Sequence, residues 1–280
     1  MKLYTIETGN FKLDGGAMFG VVPKVLWSRT NPSDSNNLCP WAMRSLLIED
    51  GDKLILIDNG IGDKQDEKFL KHYYLHGDNS LSNSLKKLGF SEDDITDVFL
   101  THLHFDHCGG SVKWNKDRTG FEMAFKNAKY WSNNDHWSHA LNSNYREKAS
   151  FLKDNIIPIQ QSGQLNFIER DSKFFDFFNV LFVDGHTESQ MIPHIKYKNQ
   201  TIVFAADLLP STGHIPLAYV MGYDTQPLKT LIEKKQFLLD AAEKQYVIFM
   251  QHDNYNECCT VKLSEKGVVL DKTFKLTDIL

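Results

Sequence analysis

The sequence predicts a layered α/β protein with helices on its outer faces, and three observations point there. Short apolar runs bounded by Gly, Pro, Asn and Asp recur along the chain and read as strands. Helical patterns fall between groups of these strands instead of alternating strictly with them. The chain has 280 residues, 41% hydrophobic and 24% charged, which suffices for a sizeable core and is ordinary for a globular protein.

The elements follow in order. Residues 3–7 read as a first strand; a Gly- and Pro-punctuated segment at 14–27 (DGGAMFGVVPKVLW) and a polar loop at 28–37 come next. Residues 43–49 and 53–57 read as strands around Glu49-Asp50-Gly51-Asp52, a hairpin signal. Leu81, Leu85 and Leu88 share one side of a helix over 81–88 that ends at Gly89. Residues 97–100 form a short apolar strand, and 133–153 is helical in one or two pieces. Strands are expected at 177–183, 195–198 and 201–206, with Lys198-Asn199-Gln200 as a turn. Residues 227–244 make the clearest amphipathic helix. Leu228, Leu231, Ile232, Phe237, Leu238 and Ala241 recur on its apolar side, with Lys234 and Lys235 on the solvated one. A strand at 247–250 and a strand-like stretch at 258–276 complete the chain. There is no internal repeat, low-complexity tract or obvious linker, so 1–280 is expected to be a single domain.

Net charge is −5 and the isoelectric point about 6.1, without a long basic run, which argues against nucleic acid or an anionic membrane as partner. No stretch approaches the roughly 18 apolar residues of a spanning helix. The first residues hold no apolar signal core. The four cysteines, Cys39, Cys108, Cys258 and Cys259, do not make a disulfide framework. A cytoplasmic protein with reduced thiols is the expectation.

The stretch THLHFDHCGG at 101–110 places three of the eleven histidines and one aspartate within six residues, directly after the apolar Val98-Phe99-Leu100. His102 and His104 alternate with Leu103 and so point to one side of an extended segment. Asp106 and His107 are adjacent and cannot share that direction, which suits them to a second ion beside the first. Imidazole and carboxylate are ligands of zinc and related divalent metals. Gly109 and Gly110 allow backbone geometries that a bulky residue would obstruct. Three further ligand-type residues stand at ends of expected strands: His186 in FVDGHTESQ, Asp207 in TIVFAADLL and His252 in YVIFMQHDN. Sheet enzymes often carry their chemistry on such loops.

THLHFDH followed by GHT, a strand-end Asp and a late His resembles the metallo-β-lactamase superfamily over most of the chain from Asp58 onward. The resemblance implies two β-sheets face to face with helices outside, an α/β four-layer αββα sandwich. It implies two zinc ions per chain, or other divalent metals. His102, His104 and His186 would hold one, Asp106, His107 and His252 the second, and Asp207 would bridge them. Asp58, in LILIDNG, matches the strand-end aspartate that supports the metal histidines. His104 stands where the diiron flavoprotein branch carries a glutamate, which favours a dizinc hydrolase. Water bridging two divalent ions becomes hydroxide near neutral pH, and open metal faces polarise an ester or phosphoryl oxygen. Asp106 would pass a proton to the leaving group.

Within the family, THLHFDH, the length and the full ligand set resemble the quorum-quenching acyl-homoserine lactone lactonases, which implies hydrolytic opening of a lactone ring. That branch commonly has a tyrosine three residues after the bridging Asp. Here the position is Pro210, and His214 in LLPSTGHIP is the expected donor in its place. The segment DGGAMFGVVPK resembles methyl-parathion-hydrolase-type enzymes, so the alternative is an organophosphate or aryl-ester hydrolase. For both, Met18, Phe19, Val21, Val22 and Trp27 are expected to wall an apolar substrate pocket. Hydroxyacylglutathione hydrolase fits less well, because the C-terminal stretch reads as strands and not as a helical domain. A tRNA-processing nuclease lacks a basic arm, and a metal-free scaffold is at odds with a complete ligand set. Dimers are common among the resembling lactonases, so a homodimer acting on a small lactone or ester is expected.

Cys108, Cys258 and Cys259 read as packing residues. His72, His76, His136, His139 and His194 match no ligand position. His136 and His139, three apart in DHWSHAL, are expected on the surface or in packing.

Overall fold

The strand-like runs become two six-stranded sheets and one two-stranded ribbon in the computed structural model, which describes residues 1–170 and 172–280. In chain order the first strands are β1 (Lys2–Asp14), β2 (Leu38–Asp50), β3 (Lys53–Ile57), β4 (Asp97–Phe99), β5 (Val112–Trp114), β6 (Phe121–Met123), β7 (Lys129–Ser132) and β8 (Leu165–Phe167). β5 and β6 form the ribbon, and the others order as β1-β2-β3-β4-β7-β8. β9 (Phe178–Val183), β10 (Gln190–Tyr197), β11 (Gln200–Phe204), β12 (Val247–Phe249), β13 (Cys258–Ser264) and β14 (Gly267–Phe274) order as β14-β13-β12-β11-β10-β9. The helices are α1 (Gly15–Phe19), α2 (Lys24–Trp27), α3 (Glu67–Leu70), α4 (Leu81–Lys87), α5 (Phe105–Cys108), α6 (Asn134–Leu141), α7 (Lys153–Gln161) and α8 (Pro227–Glu243). None is long and apolar enough to cross a membrane among the described residues.

Two compact units divide the chain: Met1–Asn10 with Met43–Ser172, and Phe11–Ala42 with Lys173–Leu280. In the first, β2 and β3 pair antiparallel around Gly51, whose φ of 61° closes the expected hairpin. β3, β4, β7 and β8 run parallel. Strands of a parallel sheet are covered on both faces, which is why β3 and β4 read as continuous apolar runs. Leu56, Val98, Leu100, Phe125, Tyr130, Ile156 and Ile159 belong to this unit's buried core. Of the helical stretch expected at 133–153, only α6 forms: residues 142–152 are irregular, and α7 begins where that stretch was expected to end. β1 runs well past the expected 3–7, through Gly9, whose φ of 128° is a conformation that glycine adopts readily and other residues do not.

In the second unit, α1 and α2 occupy the Gly- and Pro-punctuated segment, where the Asp14 side chain caps α1 by accepting from Ala17 N at 2.8 Å. α8 corrects the sequence reading. Its buried residues are Thr230, Lys234, Phe237, Leu238 and Ala241, whereas Leu228 is 75% and Ile232 71% exposed. Lys234 is not on the solvated face. Its Nζ donates to the carbonyls of His214 (3.0 Å), Pro216 (3.3 Å) and Tyr219 (2.7 Å), so the amine is satisfied while its stem packs inside.

Candidate metal centre

Parallel pairing puts the carboxyl ends of β3, β4 and β7 at one edge of the first unit's sheet. Asp58 directly follows β3, His102 stands three residues beyond β4, and β7 leads into α6. Asp58 is buried and has φ 56°, a left-handed conformation that Asp tolerates better than most residues. Its Oδ1 accepts from Thr101 N and its Oδ2 from Thr101 Oγ1, both at 2.8 Å. His107 Nδ1 lies 2.9 Å from the same Oδ2. That contact fixes the His107 tautomer and leaves Nε2 as the atom that could face a metal. Thr101 Oγ1, its proton given to Asp58, accepts from His102 Nδ1 at 3.1 Å. His102 Nε2 then faces His104 Nδ1 at 3.1 Å. Two buried imidazole nitrogens this close are suited to share a cation. Asp106 and His107 fall in the single turn of α5, where neighbours diverge by about 100°. His107 Nε2 and Asp106 Oδ2 are 3.7 Å apart. The two glycines allow a close approach: a Cβ on Gly109 would lie 2.1 Å from Ile61 O, and one on Gly110 2.3 Å from Asn59 O.

In the second unit, β9 is antiparallel to β10, β10 to β11, and β11 is parallel to β12. β9, β11 and β12 therefore run the same way. His186, Asp207 and His252 each stand three residues beyond one of them. Asp207 Oδ2 is 3.1 Å from His186 Nε2, and its Oδ1 is 3.1 Å from His252 Nε2. The opposite ring nitrogens are engaged as well: His186 Nδ1 lies 3.0 Å from Asp224 Oδ1, and His252 Nδ1 donates to Ala42 O at 2.8 Å. With Nδ1 as the N–H, each Nε2 turns a lone pair towards the Asp207 carboxylate. Burial disfavours charge on His186, yet Asp207 and Asp224 outweigh it and push its pKa up to about 10. The pair thus calls for positive charge, and a divalent ion fits the donor set.

Among the described residues, the buried His and Asp that could hold metal ions are His102, His104, Asp106 and His107 of the first unit and His186, Asp207 and His252 of the second.

Other expected residues have different surroundings from those expected. His214 Nε2 donates to Met18 O at 2.9 Å and its Nδ1 accepts from Ser211 Oγ at 2.8 Å. Its ring stacks on Phe19 at 4.3 Å, and burial pushes its pKa down to about 3. It is a neutral packing histidine with both nitrogens used, not the substrate donor expected of it. Met18, Phe19 and Trp27 are buried, with Phe19 stacked on Trp27 at 5.4 Å, while Val21 is 95% exposed and Val22 partly so. The five residues therefore do not form one wall. Cys108 Sγ donates to Leu103 O at 3.3 Å, and burial pushes its thiol up to about 12.

Two buried residues had no local signal, and a third, His136, was expected on the surface or in packing. Asp224 sits in the loop before α8, and Glu147 in the charged stretch NYREKAS, which reads as solvated. His136 is fully buried, and its Nε2 accepts from Leu103 N at 2.8 Å. Only a partner distant in sequence reveals each of them.

A sequence profile of the Metallo-beta-lactamase superfamily matches residues 44–252. An N-acyl homoserine lactonase from Bacillus cereus is 23% identical over 270 residues, covering 90% of this chain and 93% of that one. One from Bacillus thuringiensis is 26% identical over 198 residues, and the match spans 66% of each chain. Among solved structures, a probable metal-dependent hydrolase from Staphylococcus aureus superposes with a TM-score of 0.86 at 28% identity, covering 98% of both chains. AidC, a dizinc quorum-quenching lactonase in complex with a product, superposes with a TM-score of 0.78 at 24% identity, covering 97% of this chain and 94% of that one.

Proposed function

The chain belongs to the metallo-beta-lactamase superfamily and is a hydrolase of its α/β fold, and we propose that it opens the lactone ring of N-acyl-homoserine lactones with two metal ions. The observation that carries this reading is the Asp207 carboxylate between the Nε2 atoms of His186 and His252, in a chain whose relatives are named lactonases. In this proposal His102, His104 and His186 hold one ion, Asp106, His107 and His252 the other, and Asp207 serves both. Zinc or another divalent ion there supplies a Lewis acid for the ring carbonyl and lowers the pKa of water to near neutrality.

The chain's own residues do the rest. Asp58, Asp224 and Ala42 O each hold the Nδ1 of a donor histidine, so that Nε2 is the atom turned to a metal. Asp106, beside His107 and buried, would take the proton released as water adds to the ring carbonyl and pass it to the ring oxygen as the ring C–O bond breaks. His214 contributes by holding Met18 and Ser211, not by touching substrate. Residues 1–280 work as one catalytic domain. A cytoplasmic homodimer belongs to the same proposal, supported by four buried cysteines without a disulfide and by the resemblance to lactonases.

The test is kcat/KM on one metal-loaded preparation for short- and long-chain acyl-homoserine lactones, an aryl ester, a phosphotriester and S-lactoylglutathione. Lactones should be turned over best. An aryl ester or phosphotriester orders of magnitude ahead of every lactone would replace the lactonase with the organophosphate or aryl-ester reading and leave the metal centre standing.

A further inference from the structure

We propose that Glu147 is a positioning residue for His104, and that His139 holds Glu147 in turn; the inference rests on the metal centre proposed above. Glu147 is 3% exposed, in the irregular segment after α6. Its Oε1 pairs with His139 Nε2 and accepts from Asn144 Nδ2 at 3.1 Å. Its Oε2 lies 3.6 Å from His104 Nε2, an ion-pair distance rather than a formed hydrogen bond. Among the described residues, the ionisable groups paired with this buried carboxylate are those two imidazoles. A buried carboxylate is costly unless it has such partners, so its placement calls for explanation.

The explanation lies in the two nitrogens of His104. Nδ1 faces His102 Nε2 at 3.1 Å and is the atom a metal would take. Nε2 must then carry the ring proton, and Glu147 Oε2 is the acceptor placed on that side. Helix α6 acts on the same short segment twice. His136 and His139, at i and i+3, share one helix face. His136 Nε2 accepts from Leu103 N between the two ligands, while His139 acts through Glu147 on the second of them. Phe151 packs against the rings of His104 (4.8 Å), His136 (5.8 Å) and His139 (5.8 Å), which excludes water and strengthens the charge contacts.

The experiment is a cobalt(II) titration of the metal-stripped wild-type chain, Glu147→Gln, His139→Gln and the double variant. It reads the visible absorption bands and the affinity in competition with a chelator. Glu147→Gln should weaken binding at the ion held by His104 by about 10- to 100-fold and shift its bands. His139→Gln should do the same to a lesser degree, and the double variant should be no worse than Glu147→Gln alone, because His139 acts through Glu147. Should Glu147→Gln fail to fold, the milder His139→Gln decides through the same bands. Wild-type affinity and spectrum in the folded variants, or additive losses in the double variant, would overturn the proposal. A wild-type chain that takes up no cobalt would instead overturn the metal centre beneath it.

Discussion

In the first unit four candidate metal donors lie within six consecutive residues, whereas in the second three donors follow three different strands. The local set needs little beyond the end of β4 and the turn of α5. The dispersed set exists only because β9, β11 and β12 run in one direction and stop level enough for His186, Asp207 and His252 to meet. Orientation does not follow the contrast. The compact donors rely on carboxylates distant in sequence, Asp58 and Glu147, and the dispersed ones on partners equally distant, the Asp224 carboxylate for His186 and a backbone carbonyl that no substitution can delete for His252. A cluster that is local in its ligands can thus be long-range in its support.

The largest effect that can break this comparison is expected from Asp207→Ala. It removes the group between both histidines of the dispersed set, so metal analysis after gentle purification should show loss at both sites. His186→Ala and His252→Ala should each mainly empty one. Full metal content in Asp207→Ala would mean that the second unit's cluster is not a junction. Next come the supporting carboxylates: Asp58→Ala and Asp224→Ala should each weaken metal affinity by about 10- to 100-fold without removing a proposed ligand. A chelator competition with no change in Asp58→Ala would detach it from the site.

Smaller effects sharpen the contrast by lying outside both clusters. His214→Ala loses two hydrogen bonds and a stacked ring, and should cost about 2–3 kcal/mol of stability with metal content unchanged. Urea unfolding measures that loss. If lactone turnover collapsed while stability held, His214 would return to the substrate side. Lys234→Met leaves the carbonyls of His214, Pro216 and Tyr219 without their shared donor. It should cost about 1–2 kcal/mol, seen as a lower urea midpoint with an unchanged slope.

The segments that the sequence reading misplaced share a cause. On α8 the hydrophobic period admitted more than one register, and Lys234 looks solvated by type. It is buried because three carbonyls from a loop earlier in the chain converge on its amine. Phe19, Trp27 and Met18 look like a pocket wall by type as well, but they pack with His214 inside the second unit. Apolar composition says that a side chain seeks cover; it does not say whether a ligand or another side chain provides it.

What the sequence determined by itself was whatever depends on neighbours in the chain. The hairpin around Gly51, the buried strands β3 and β4, the α/β class and the spacing of the His and Asp side chains in THLHFDH all follow from short-range pattern, because backbone geometry converts spacing directly into direction. Only the tertiary structure decided which nitrogen of each histidine faces its partner. It also decided that Asp224 and Glu147 are buried beside histidines, and that His214 has no ring nitrogen to spare. Those facts depend on hydrogen bonds and ion pairs between residues far apart in sequence. A carboxylate or imidazole has the same local pattern whether it meets such a partner or water.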